Sequence, residues 1–366
     1  MISIQEIISY LEKYFPKNNS YDWDNVGINV GGFDKKIENI LISVDINNDI
    51  VDEAIKKQCQ VIISHHPLIF QGIKSIRSDL PDGELIYKLI KNDIVHYCMH
   101  TNADISEYGN NYYISKLLKL EDVKGLSFFS KDEYYKIVVY VPKSHADKVR
   151  DIMAKEGAGH IGNYSHCFFK VEGIGSFKPL EGSNPFIGNI GEVETVDEIR
   201  IETIVNKKDL KKVIRAMEKG HPYEEVAYDI YKLENEIKTN SLGIIGKRKM
   251  SANELINEIK NIFGCRFVKA MILKESFEKI AVCSGSGKDL IKDASFAGAD
   301  IFITADITHH SMLQARDLGL SIIDIGHFYS ERVFIDSIYK ILSKHEKKNM
   351  FNIFKSEIIT DYLEVY

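Results

Sequence analysis

The sequence contains few of the features that mark secreted, membrane-spanning or disulfide-stabilised proteins. Its 366 residues include only five cysteines, and no two of these form a Cys-x-x-Cys pair. Scattered cysteines in an odd number are typical of reduced thiols in a cytoplasmic protein and argue against a cysteine-based zinc knuckle. No apolar run reaches the roughly 18 residues that suggest a membrane span. The first residues lack a cationic leader, so we expect an amphipathic helix reaching Phe15 rather than a secretory signal.

The chain also lacks a strong charge of either sign. Lys and Arg number 47 against 53 Asp and Glu, which gives a net charge of −6 with both signs mixed along the sequence. Because no large basic face is visible, we do not expect nucleic-acid binding. The length favours two or more domains, and the 44% of apolar residues is ordinary for a globular protein.

Apolar strand patterns alternate with helical patterns in the first third of the chain. We predict strands at 40–44, 61–64 and 94–99, with helices at 49–57 and 83–91 between them. Near-continuous apolar strands in this β-α-β-α-β order are typical of a parallel sheet that helices cover on both faces.

The last third repeats this style. Strands are predicted at 280–283, 301–304 and 322–325, and a helix follows each of them. The segments QVIISHH at 60–66 and DIFITADITHH at 300–310 both run from a strand into paired histidines, which is compatible with a weak internal duplication. The glycine-rich SGSGK at 284–288 either offers its amides to a phosphate or forms a tight turn, the commoner explanation.

The middle of the chain has a different pattern. Strands and helices between 134 and 233 follow the β-α-β-β-α-β order of the ferredoxin-like split unit. We therefore predict an α/β metal-binding domain whose parallel or mixed sheets are flanked by helices, built from residues 1–129 and 236–366. An inserted α+β ferredoxin-like domain at 130–235 would interrupt it, and the polar stretch at 234–240 would be the return linker.

Histidine and acidic side chains follow three of the predicted strands. They are His65 and His66 after the strand at 61–64, Asp104 after that at 94–99, and His327 with Glu331 after that at 322–325. Ligands of open parallel sheets bind beyond the carboxyl ends of the strands, so we expect all five to meet at one end of one sheet. Imidazoles with carboxylates suit borderline transition metals, and two such ions roughly 3.5–4 Å apart are typical of two-metal hydrolases.

Other residues near these strand ends allow two interpretations. Four of them are candidates for proton transfer or for hydrogen bonds to the metal ligands: His100, Asp306, His309 and His310. The paired histidines fit a polar helix start equally well, with Asp306 or Thr308 as its cap. The single tryptophan, Trp23, either lines the mouth of a pocket or packs the first helix onto the sheet, and we favour packing.

Five motifs are distributed over both ends of the chain. They are WDNVGINVG at 23–31, SHHPLIF at 64–70, HTNAD at 100–104, TADITHH at 304–310 and GHFYSE at 326–331. Together they resemble the GTP cyclohydrolase I type 2 homologues, also called Nif-three-like or YqfO-like proteins. The stretch at 157–231 is similar to the PII/CutA-like insert of the longer members. Ala305 departs from the glycine that is usual before the aspartate, and we expect this to affect the turn.

The resemblance implies two divalent metal ions per subunit, held by the same five residues, and a homohexameric ring. Zinc, iron, manganese, cobalt and nickel all suit histidine and carboxylate ligands. The implied activity is hydrolytic opening of the purine ring of GTP, in which hydroxide attacks C8 and formate is released. The alternatives are a metal-dependent nucleotide phosphohydrolase and a non-catalytic metal-binding or regulatory ring protein with a PII-like sensor domain.

Overall fold

The computed structural model describes residues 1–129, 133–162, 164–234 and 240–363. The chain divides into two compact units, residues 1–129 with 240–366 and residues 130–239. The strands are β1 Ile2–Ser3, β2 Gly27–Val30, β3 Lys36–Ile37, β4 Asn39–Ser43, β5 Val61–Ser64, β6 Val95–Cys98, β7 Glu121–Phe129, β8 Tyr134–Pro142, β9 Phe168–Phe177, β10 Glu194–Asn206, β11 Tyr228–Leu233, β12 Asn240–Ser251, β13 Lys269–Met271, β14 Ser276–Ser286, β15 Ile301–Ala305, β16 Ser321–Asp324 and β17 Asn352–Lys355.

Helices connect most of these strands. They are α1 Ile4–Leu11, α2 Asn48–Lys56, α3 Pro81–Lys91, α4 Thr101–Ile105, α5 Asn110–Leu117, α6 Ala146–Lys155, α7 Lys207–Gly220, α8 Ala252–Phe263, α9 Ile291–Phe296, α10 His309–Asp317, α11 His327–Glu331 and α12 Val333–Leu342. Short 3₁₀ turns lie at Lys17–Asn19, Lys288–Leu290 and Lys348–Met350. Within the described part of the chain, every helix is too short or too polar to cross a bilayer.

One sheet of the first unit has the strand order β17-β4-β5-β6-β2. Its first four strands are parallel, and β2 is antiparallel to β6. The predicted β-α-β-α-β succession is confirmed, since α2 and α3 connect β4, β5 and β6. Every residue of β5 and β6 is buried, which explains why the sequence of these strands is nearly continuously apolar.

A second sheet of the same unit has the order β13-β16-β15-β14-β12-β7. Strands β14, β15 and β16 are parallel, while β12 and β13 run antiparallel to their neighbours. The prediction of one sheet carrying all the candidate ligands is therefore wrong. Periodicity identifies strands but not their partners: β7 pairs with β12 of the C-terminal half, and β17 pairs with β4 of the N-terminal half.

The first helix is shorter than predicted. It begins after Ser3, whose hydroxyl caps it by accepting from the Glu6 amide, and it ends at Leu11. The chain then turns so that Phe15 is buried in the core, and the following Pro16 disfavours helical backbone at that position.

The second unit has a four-stranded antiparallel sheet in the order β11-β8-β10-β9. Its elements follow the predicted β-α-β-β-α-β succession. Val139 and Ile201 of the sheet share a core with Val149 of α6 and Val213 of α7. The predicted domain borders and return linker stay predictions, because residues 130–132 and 235–239 lie outside the described part of the chain.

Candidate metal centre

Helix α12 brings the two sheets of the first unit together. Its Phe334 and Ile338 are buried in the same core as Ile40 and Ile42 of β4, in the five-stranded sheet. The preceding helix α11 begins just beyond β16, in the six-stranded sheet. The end of α11, which carries Glu331, is thereby placed against the end of β5.

The turn after β5 buries the first candidate ligand completely. The amides of His65 and His66 both donate to the Val44 carbonyl, at 3.0 and 2.9 Å. The His65 imidazole is fully buried and lies 5.1 Å from the Phe334 ring, centroid to centroid. Backbone hydrogen bonds and ring packing thus fix the direction of this imidazole.

Four imidazoles are each held through the Nδ1 atom by an oxygen acceptor. The pairs are His65 with the Met99 carbonyl at 2.9 Å, His66 with Asp45 at 2.7 Å, His100 with Asp24 at 2.8 Å and His327 with Asp306 at 2.7 Å. An N–H donated from Nδ1 sets the tautomer and leaves Nε2 as the electron-pair donor for a metal. Sequence reasoning missed Asp24 and Asp45 in this role. The position of Asp45 just beyond β4 could have indicated this role, since the candidate ligands also follow the ends of strands.

The Nε2 atoms of three of these histidines converge on the buried carboxylate of Glu331. The distances to its oxygen atoms are 3.0 Å from His66, 3.1 Å from His327 and 3.5 Å from His65. Asp104 Oδ2 lies 3.6 Å from His65 Nε2. The structure therefore gathers all five residues that the strand-end argument selected.

Potential ligand atoms form two overlapping groups. Within each group all the atoms lie within 4.8 Å of one another: His65, His66 and His100 make one, and His66, His327 and Glu331 make the other. Because His66 has only its Nε2 atom free, it can bind one ion, and two neighbouring ions would have to share a carboxylate such as Glu331, whose two oxygens face His66 and His327. His100 is therefore part of the cluster.

Two buried atoms at the centre of the cluster lack a hydrogen bond. His65 Nε2 and Glu331 Oε2 have no hydrogen-bond partner among the described residues. The contact of Oε2 with His66 is at an ion-pair distance of 3.0 Å but without hydrogen-bond geometry. Because buried polar atoms without partners cost free energy, this donor set fits a divalent metal, which would satisfy both atoms.

The Asp104 carboxylate is oriented by its neighbours. Its Oδ1 accepts from Asn110 Nδ2 at 2.9 Å and from Ser284 Oγ at 3.0 Å. The other oxygen is left facing His65. Strand β14, which carries Ser284, thus positions a candidate ligand of the N-terminal half.

The hydrogen bonds of the glycine-rich segment at 284–288 favour a tight turn over a phosphate cradle. Three of its five amides already donate to side chains within the protein: that of Ser284 to Asn111 Oδ1, that of Gly285 to Ser330 Oγ and that of Gly287 to Thr304 Oγ1. A bound phosphate would have to displace these hydrogen bonds. The segment instead donates a hydrogen bond to Asp104 through Ser284 Oγ and lies against Glu331 at Gly285.

The TADITHH segment contributes one of its three candidates to the cluster. Asp306 accepts from His327, and its backbone has a φ of +56°. Ala305 does not adopt a positive φ, so an alanine there fits the turn without strain. The exposed rings of His309 and His310 pack edge to face with their centroids 5.7 Å apart. Neither histidine belongs to a ligand group among the described residues.

Trp23 does not pack the first helix onto the sheet, so that interpretation is wrong. Its side chain is 57% exposed. Its ring lies 6.1 Å from that of His100 and meets it edge to face. This position fits the alternative that Trp23 lines the mouth of the site.

The cluster is strongly coupled electrostatically. Burial alone would lower the pKa of His66, but Glu331 and the hydrogen bond to Asp45 raise that pKa to about 11. The hydrogen bond to Glu331 raises the pKa of His327 to about 9 against the effect of burial. Burial would raise the pKa of Glu331, yet His66 and His65 hold it well below its usual range.

These shifts predict that metal binding releases protons. At neutral pH the metal-free His66 and His327 carry protons that an ion must displace, because only neutral imidazole coordinates. We expect the affinity for Zn²⁺ to rise between about pH 5 and 8, roughly tenfold per pH unit for each displaced proton. Calorimetry in buffers of different ionisation enthalpy measures the proton count. An affinity independent of pH would contradict these assignments.

A cavity of about 440 Å³ opens beside the cluster. Its walls include His66, His327, Asp306, Phe267, Lys269 and Tyr329. This volume lies within the range of roughly 300–1,000 Å³ that is typical of small-molecule sites. The candidate ligands therefore border a space that a small organic molecule can enter.

Comparisons with known proteins agree with the motifs. A model of the family Duf34/NIF3 (NGG1p interacting factor 3) matches residues 2–362. A Bacillus subtilis protein named GTP cyclohydrolase 1 type 2 homolog is 41% identical over 362 residues, 98% of this chain and 97% of its own length. A Bacillus cereus protein related to NIF3 has a solved structure that is 38% identical, with a TM-score of 0.83 and coverage of 100% and 99% of the two chains. A Staphylococcus aureus structure is 28% identical, with a TM-score of 0.84 and the same coverage.

Proposed function

This chain belongs to the Duf34/NIF3 family, and we propose that it is a metal-dependent hydrolase of nucleotides, with GTP as the first substrate to test. The motif-based identification of the family is confirmed, and the name of the relatives suggests the substrate. The observation that carries the proposal is the convergence of anchored imidazoles on the buried carboxylate of Glu331. Such a donor set is typical of two-metal hydrolases.

The five residues selected from the sequence would hold two divalent ions, and His100 would complete one group. When bound, such ions supply Lewis acidity to the substrate and to the attacking water. Asp45 and Asp306 keep the Nε2 atoms of His66 and His327 aimed at the site. If His100 remains free of metal, its Nε2 atom can take or return a proton while Asp24 holds the ring.

Product analysis after incubation with GTP tests the reaction. The protein is purified, its bound metals are quantified, and formate and inorganic phosphate are measured. We expect formate release that falls below detection in the variant His65→Ala. His160→Ala, which alters an exposed histidine of the second unit, is the matched control and retains activity.

Other products would support a different function. Phosphate without formate indicates a nucleotide phosphohydrolase. Tight metal binding with no turnover over a panel of nucleotides indicates a non-catalytic metal-binding protein. Either result refutes the ring-opening reaction but leaves the metal site in place.

The proposal also includes the organisation of the whole protein. We interpret residues 130–235 as an inserted PII/CutA-like domain, because the second unit has the sheet order and helices of a split β-α-β unit. We further propose a cytoplasmic homohexamer. Light scattering coupled to size-exclusion chromatography measures the number of subunits, and a monomer would refute the ring.

A further inference from the structure

Two exposed aromatic side chains and one half-buried aromatic side chain form a surface beside His100. Tyr21, Trp23 and Phe70 make up this surface, here called the aromatic platform. The rings of Tyr21 and Trp23 are stacked 5.5 Å apart at an interplanar angle of 10°, and Phe70 lies 5.7 Å from Trp23. Trp23 and Phe70 are 57% and 51% exposed. Contiguous exposed aromatic side chains of this kind mark binding surfaces.

Hydrogen bonds fix one side of the platform to the turn that carries His100. The buried Asp24 carboxylate accepts from the amide and hydroxyl of Thr101, at 3.0 and 2.5 Å, and from His100 Nδ1 at 2.8 Å. The Tyr21 amide donates to Thr101 Oγ1 at 3.1 Å. The backbone on both sides of Trp23 is therefore held while its ring faces solvent.

The segment that carries Phe70 is held in a similar way. Asn25 Nδ2 donates to the Ile69 carbonyl at 2.5 Å, and the Ile69 amide donates to Asn29 Oδ1 at 3.2 Å. Polar contacts, rather than burial of the rings, thus set the position of the platform. A surface organised before binding loses little conformational entropy when a ligand arrives.

The platform lies within reach of the candidate metal ligands. The Trp23 ring is 6.1 Å from the His100 ring, which is 5.2 Å from the His65 ring and 5.5 Å from the His66 ring. A planar ring stacked on Trp23 would therefore lie beside the cluster. A nucleobase has this shape, and bases stack on aromatic side chains whatever their identity.

We propose that the aromatic platform binds the purine base of the substrate by stacking on Trp23. This inference rests on the proposed function only for the choice of a purine nucleotide as substrate. Trp23 is thus assigned as a substrate-binding residue that orients the base towards the metal ligands. Stacking of a base on one aromatic side chain contributes substantially to the free energy of binding. Removal of the Trp23 ring is therefore expected to weaken GTP binding about tenfold to a hundredfold.

The single tryptophan provides a direct measurement. The intact protein is titrated with GTP while indole fluorescence is followed, both with its metals and after their removal by chelation. A parallel titration uses inorganic tripolyphosphate, which has no base. We expect saturable quenching by GTP and no quenching by tripolyphosphate at the same concentrations.

Calorimetry on variants measures the contribution of the ring. We expect Trp23→Ala to weaken GTP binding about tenfold or more and Trp23→Phe to restore most of the affinity. Phe296→Ala is the matched control, since that exposed ring lies on α9 outside the cluster and the platform. It is expected to bind GTP like the unmodified protein.

The outcomes separate this inference from the proposed function. The proposed role of the platform is refuted by any of three results. These are unchanged fluorescence at saturating GTP, an unchanged affinity for GTP in Trp23→Ala, and no binding of GTP. A change in oligomeric state with unchanged affinity also overturns it, and shows that Trp23 contacts another copy of the chain. Quenching and weakened binding without formate release support the platform and refute ring opening.

Discussion

Replacing Glu331 with glutamine is expected to lower the metal content of the protein by at least one ion per chain. The buried carboxylate contacts the Nε2 atoms of His65, His66 and His327 and is the central anion of the cluster. Loss of a supporting hydrogen bond alone weakens metal sites about 10- to 100-fold, so loss of this charge should weaken binding by about 100-fold or more. Elemental analysis after dialysis against a defined concentration of Zn²⁺ measures the effect.

Two controls distinguish loss of the site from loss of the fold. Glutamine has nearly the size of glutamate, so circular dichroism of Glu331→Gln should match that of the unmodified protein. Glu278→Gln makes the same chemical change at an exposed position and is expected to keep its full metal content. A normal metal content in Glu331→Gln would remove Glu331 from the ligand set.

The sequence predicted the candidate ligands more reliably than the sheets that carry them. His65 and His327 lie at the carboxyl ends of parallel strands, where side chains leave the sheet and face outward. That local rule holds although β5 and β16 belong to different sheets. Strand pairing depends on contacts between distant segments, such as β17 with β4, which periodicity does not contain.

The groups that orient the ligands were harder to recognise. Asp24 and Asp45 act through hydrogen bonds to His100 and His66 that only the folded chain brings together. The exposure of Trp23 also follows from tertiary structure, because composition alone favours burial of the single tryptophan. The glycine-rich segment was ambiguous for the same reason, since its hydrogen-bond partners lie far away in the sequence.

Replacing Gly285 with alanine is expected to disrupt the metal centre without changing any candidate ligand. Gly285 has a φ of +62°, and a β-carbon added there would lie 2.3 Å from Glu331 Oε1 and 3.6 Å from His327 Nε2. The Glu331 side chain is only 4% exposed and is surrounded by imidazoles, so its carboxylate cannot move aside without breaking those contacts. We expect Gly285→Ala to lose metal to a similar degree as Glu331→Gln.

Gly319→Ala separates this steric effect from backbone strain. Gly319 has a nearly identical φ of +68°, but an added β-carbon there would meet no atom within 4 Å. Both variants should therefore lose about 1–2 kcal/mol of folding stability from the left-handed backbone, measured by urea denaturation of the metal-free proteins. Only Gly285→Ala should lose metal, because only its methyl group displaces Glu331. Full metal occupancy in Gly285→Ala would show that the Glu331 carboxylate does not have to occupy this position for the ions to bind.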